Sequence, residues 1–166
     1  MGKSINYMNY HRIIGFALTM AVCGIFAAEV RSDAGDDEAA LQLLISKYTE
    51  AIDTADTAIA AEVWLASPEI SFISPAVHLH GWEEVSGVYA FFGAGYSDRR
   101  LTTSNVSIHV YGDSAWSEFN WDFHARQVSD GTTVDNSGVE TQIYRRLETG
   151  RWVLVHVHYS AIPVAP

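Results

Sequence analysis

Residues 151–162 read RWVLVHVHYSAI, and their alternation sets the architecture. Val153, Val155, Val157 and Tyr159 fall on one side, and Trp152, His156, His158 and Ser160 on the other. A period of two residues marks a strand with one buried face. A Thr149-Gly150 turn precedes it, and working back along the chain gives more of the same. Ser137–Leu147 follows a Ser129-Asp130-Gly131 turn, Ala115–Gln127 follows a Gly112-Asp113 turn, and Thr102–Tyr111 opens the series. Strands joined by turns this short pair antiparallel.

The half of the chain before Gly95 has a different rhythm. Asp36-Asp37-Glu38 suits the positive end of a helix dipole, and Leu41, Leu44, Ile45, Tyr48 and Ile52 make a helical stripe. After a break at Asp53-Thr54-Ala55-Asp56, a second helix is predicted over Thr57–Leu65. Ile70–Ile73 reads as a strand that Pro75 ends. His80-Gly81 is a turn, and Trp82–Phe92 reads as a third helix. Helices first and long antiparallel strands after them make an α+β fold.

The strand faces divide by chemistry. The inward set is Val106, Ile108, Val110, Phe119, Trp121, Phe123, Glu140, Gln142, Tyr144, Val153, Val155, Val157 and Tyr159. The outward set is polar and includes Glu118, Asn120, Asp122, His124, Thr141, Arg145, His156, His158 and Ser160, with Trp116 and Trp152 among them. A half-wet face bearing tryptophans is either solvent-exposed or a contact between subunits.

A net charge of −10 disfavours nucleic acid and anionic membrane surfaces as partners. At the start of the chain, Lys3, His11 and Arg12 precede an uncharged run from Ile13 to Ala28, the layout of a secretory signal peptide. Cleavage is expected at residue 28, or as late as 34, which makes the protein exported, periplasmic or secreted; a lipid anchor at Cys23 and an uncleaved membrane anchor are the alternatives. Cleavage removes the only cysteine, Cys23, and with it disulfides and thiolate chemistry.

The tail RWVLVHVHYSAIPVAP resembles the end of the association domain of calcium/calmodulin-dependent protein kinase II. It also resembles bacterial SnoaL-like proteins, in which Gly-basic-Trp leads into His-x-His-x-Ser. The likeness extends through VETQIYRRLETG and LTTSNVSIHVYGD to LLISKYTEAIDTAD, covering roughly residues 38–166. It implies the nuclear transport factor 2-like superfamily, with a cone-shaped curved antiparallel sheet packed on about three N-terminal helices (a cystatin-like α+β barrel) over residues 36–166. It also implies a pocket between the sheet and the helices.

The resemblance supplies expectations for that pocket. Tyr48 matches the catalytic tyrosine of ketosteroid isomerases. The isomerase's general-base aspartate is replaced by Ser74, before Pro75, and its second oxyanion donor by Gln142. A serine hydroxyl without an adjacent base cannot abstract a proton at neutral pH. The kinase domain's pocket arginines fall on Trp121, Gln142 and Tyr159, so no cation remains among them. The candidate catalytic residues are therefore Tyr48, Gln142 and Glu140, each with a core or solvent-exposed role as the plainer reading. Gln142, on an apolar face, needs a partner in a ligand, Tyr48 or Tyr159. Trp64, Phe72, Phe119, Trp121, Phe123 and Tyr159 are the expected ligand-binding wall.

Two imidazoles at His156-x-His158, with His124 and Asp122 nearby, give a possible metal geometry, but a structural role is preferred and no metal or cofactor is expected. The expected partners are a small, apolar or aromatic ligand and a second copy of the chain. Three functions follow: binding of that ligand, an isomerase, cyclase or dehydratase acting by acid–base chemistry in the same pocket, or a structural oligomerisation domain.

Overall fold

The computed structural model describes residues 34–161; the expected leader at 1–28 lies outside the described residues. Helix α1 runs Ala34–Thr54, α2 Thr57–Val63 and α3 Gly81–Gly95. The strands are β1 Ser71–Ile73, β2 His78–His80, β3 Tyr96–Tyr111, β4 Ser114–Gln127, β5 Thr133–Arg146 and β6 Trp152–Ala161. They form one six-stranded sheet in the order β2-β1-β6-β5-β4-β3. Only the β1–β6 pairing is parallel. The architecture is the expected α+β cone, three helices on a curved, mostly antiparallel sheet.

The apolar stripe of α1 supplies Leu41, Ile45, Tyr48, Ala51 and Ile52 to the core, all nearly inaccessible to solvent. The break after Thr54 is a left-handed residue, Ala55, at φ 55°. Asp56 then caps α2, its carboxylate accepting the N–H groups of Ala58 and Ile59. Arg99 ties the helix ends to the sheet. Its guanidinium donates to the carbonyls of Ile52 and Asp53 at the end of α1, and to those of Phe92 and Tyr96 at the end of α3.

The inward set holds along β4 and β5, where burial alternates strictly from Ala115 to Ala125 and from Gly138 to Tyr144. On β6 the sequence reading needs correction. Ile143 pairs with His156 but Tyr144 pairs with Leu154, so Val155 is an extra residue, a β-bulge. The bulge shifts the phase of the residues before it, and Trp152, Val153 and Leu154 are all buried. Leu154 and Trp152 turn into the core, and Trp152 leaves the outward set in which the alternation had placed it. Two strands also start earlier than their composition suggests: β3 at Tyr96 rather than Thr102, and β5 at Thr133 rather than Ser137.

Candidate functional site

Between α1, α3 and the concave face of the sheet lies a cavity of about 310 Å³. Tyr48 and Ile52 reach it from α1, Phe91 and Phe92 from α3, and Phe72 from β1. The sheet adds Tyr96, Leu101, Trp121, Phe123, Asn136, Glu140, Tyr159 and Ala161. Pro75 and Ala76 complete the lining. The aromatic wall is interlocked: Tyr159 meets Trp121 edge-on at 5.5 Å and Phe72 at 5.7 Å, and Phe123 meets Phe92 at 5.4 Å and Tyr96 at 5.7 Å. Such edge-to-face contacts fix ring orientations as well as burying area.

Glu140 is the one acid in this lining, and it is 3% exposed. The sequence suggested a position near the strand's start. Because β5 begins at Thr133, Glu140 sits mid-strand, paired with Phe119 on one side and Tyr159 on the other. Burial pushes its carboxyl up to about 7, with hydrogen bonds from Gln142 and Tyr48 pulling the other way. Burial likewise holds the Tyr48 hydroxyl well above its ordinary range, with the Glu140 charge adding to it. Tyr48 therefore stays a donor at any physiological pH.

Gln142 does not line the cavity. It lies behind Glu140, fully buried, and its partners are Glu140 and Tyr144 rather than Tyr48, Tyr159 or a ligand. Trp64 and Phe119 are also core residues set back from the lining. The Trp64 indole N–H donates to the Tyr89 hydroxyl at 2.8 Å. Phe72, Trp121, Phe123 and Tyr159 do line the cavity, together with Phe91, Phe92 and Tyr96, which the sequence reading left out. Their signal was present only as an apolar α3 whose last turn closes over the sheet.

Ser74, at the position of the isomerase base, sits in the loop beside Pro75. Its hydroxyl accepts the N–H groups of Ala76 and Val77. The acid of this cavity comes instead from β5. His156 bonds Ser71 at 2.8 Å and His124 bonds Asp135 at 2.6 Å, on the sheet's other face. Among the described residues no group of three or more His, Cys, Asp or Glu is placed to hold a metal ion.

A family model for the SnoaL-like domain matches residues 42–165, and the chain belongs to that family. Solved structures agree. A nuclear transport factor 2-like superfamily protein from Salmonella enterica serovar Typhimurium is 32% identical over 78% of this chain and 95% of its own, with a TM-score of 0.72. A protein from Streptomyces avermitilis, named as a candidate dehydratase of the same family, is 23% identical over 80% of this chain and 100% of its own, TM-score 0.70. A protein with a cystatin-like fold from Caulobacter vibrioides is 20% identical over 76% of this chain and 89% of its own, TM-score 0.64. No curated protein matches the chain significantly.

Proposed function

We propose that this chain binds a small, uncharged, ring-shaped molecule in the cavity and that Glu140 and Tyr48 move a proton on it. The carrying observation is a carboxyl buried in an aromatic wall, an environment that pushes its titration up to about 7. A group poised there is present in both protonation states at neutral pH, which suits a general acid or base. Ionised Glu140 can take a proton from a carbon beside a carbonyl that Tyr48 holds, and return it elsewhere. Having taken that proton, Glu140 can instead give it to a hydroxyl on the next carbon, which leaves as water while the C–H electron pair forms the C=C bond. Isomerisation, cyclisation and dehydration all fall within this range.

The size fits. A cavity of about 150 Å³ holds benzene, so 310 Å³ suits one or two rings. No Lys, Arg or His is among the lining residues, which argues for a neutral ligand. The test is a thermal-shift and turnover screen with ring ketones and alcohols, comparing the native chain with Glu140→Gln. If no compound stabilises the native chain, binding is refuted; turnover that survives Glu140→Gln refutes the catalytic role.

Binding without catalysis is favoured by one observation: Glu140 already has partners in Gln142 and Tyr48. It predicts ligands that bind and leave unchanged. The apolar residues exposed on the outer sheet face, Ile143 and Val139, support a homo-oligomer, and sedimentation velocity would test this. The leader supports export, which N-terminal sequencing of the protein from its native source would test.

A further inference from the structure

Behind Glu140 runs a line of polar side chains that the cavity does not touch. Ser117, Gln142 and Tyr144 are at most 1% exposed, and none of them lines the cavity. Ser117 on β4 lies opposite Gln142 on β5, and Tyr144 stands two residues further along the same face. The Ser117 and Tyr144 hydroxyls are 2.9 Å apart. Tyr144 donates to the Gln142 amide oxygen, and the Gln142 amide nitrogen donates to Glu140 at 2.6 Å. Polar groups buried this deeply cost stability unless each is paired. Apolar side chains could fill the same space.

The line has a direction. An amide oxygen only accepts and an amide nitrogen only donates. The Tyr144 proton, committed to the Gln142 oxygen, turns the Gln142 nitrogen towards Glu140. The Tyr144 oxygen is then left to accept, and Ser117 is the group beside it that can donate. Every donor points the same way, and hydrogen bonds aligned head to tail polarise one another. Donors aimed at a carboxyl favour its charged form. Without Tyr144's hydroxyl, the amide is free to turn its oxygen to Glu140, where it accepts from the protonated acid and favours the neutral form.

We propose that Ser117, Tyr144 and Gln142 form a directional donor chain that holds the Gln142 amide nitrogen on Glu140 and keeps the carboxylate form available inside the core. Tyr144 and Ser117 are then positioning residues for the proton-moving group. The inference rests on the reading of Glu140 given above, but it is tested on the protein without ligand.

The experiment is a pH titration of the Glu140 carboxyl carbon by NMR, in protein labelled at its glutamate carboxyls and assigned through Glu140→Gln. The native midpoint is expected near 7. Tyr144→Phe should raise it by about one pH unit, the worth of one buried hydrogen bond. Ser117→Ala should raise it by less. A midpoint that stays put or falls in Tyr144→Phe overturns the proposal. If Tyr144→Phe does not fold, Ser117→Ala decides by the same criterion. A purely structural role for Tyr144 would lower the melting temperature and leave the midpoint alone. Turnover indifferent to Glu140→Gln would defeat the functional reading without touching the midpoints, so the two failures are separable.

Discussion

The Tyr48 hydroxyl, on α1, and the Glu140 carboxyl, on β5, line the same cavity and shift each other's ionisation, so the helical layer meets the sheet at a titratable contact. The contact has a consequence for stability. A free glutamate titrates near 4.5 and Glu140 near 7. Between those values the folded chain holds a proton that the unfolded chain has released. Folding therefore gains most below the unfolded value, and the gain is lost as pH rises through 7. The gap corresponds to about 3 kcal/mol. Glu140→Gln removes it. Denaturant unfolding of both chains from about pH 4 to pH 8 should show the native chain losing stability relative to the variant by that order; parallel curves would show that Glu140 does not titrate high.

Asp37 predicts a large loss of stability from a single polar change. Its carboxylate accepts the Trp152 indole N–H at 3.1 Å and pairs with Arg146, whose guanidinium lies 4.6 Å over the Trp152 ring. Asp37 is 5% exposed, so removing it leaves the largely buried Arg146 guanidinium with only the exposed Asp113, 3.6 Å away, as counter-charge. Asp37→Ala should cost about 3 kcal/mol in urea unfolding and change the emission of Trp152. A cost below about 1 kcal/mol, the range of an exposed pair, would contradict the arrangement.

Much of this frame can be read from residue order alone. The period of two along β4 and β5 placed Phe119, Trp121, Phe123, Glu140, Gln142 and Tyr144 on the inner face, because an uninterrupted ladder keeps its phase. The bulge at Val155 broke that logic on β6. Nothing in a run of valines and leucine marks which residue is the extra one, so alternation alone puts Trp152 on the wrong face. The depth of Glu140 was hidden differently. Thr133–Asn136 is polar enough to pass for a turn, yet it pairs with Phe123–Arg126 and lengthens β5, which places Glu140 mid-strand. The partners of Gln142 lie on its own strand at a spacing of two, visible in the letters but not assignable without geometry.

Gly138 keeps the cavity open. A β-carbon there would meet the Ser160 carbonyl oxygen at 1.9 Å and the Trp121 ring at 2.6 Å. The backbone of β6 and an indole that packs edge-on against Tyr159 both press on this spot. Gly138→Ala must push them apart, and the Trp121 ring has the cavity to move into. The substitution should cost roughly 2 kcal/mol or more and abolish binding of any ligand the native chain takes up. Binding of such a ligand unchanged by Gly138→Ala, measured by calorimetry, would show that Trp121 does not shape the site.

The charge of the ligand supplies the last prediction. Glu140 is the only charged group in the cavity lining, and its ionisation is governed by burial. Below its midpoint the lining is neutral; above it the lining carries one negative charge with no cation among the lining residues. A neutral ring compound that accepts a hydrogen bond from protonated Glu140 should bind more tightly at pH 6 than at pH 8. A carboxylate analogue of the same compound should bind more weakly at both, with the larger loss at pH 8, where two like charges share one low-dielectric space. On the order of tenfold between the two pH values is expected for the carboxylate. In Glu140→Gln that pH dependence should vanish while the neutral compound keeps measurable affinity. Isothermal calorimetry with both compounds at both pH values on both chains checks all eight affinities. A carboxylate ligand indifferent to pH in the native chain would place the binding site away from Glu140.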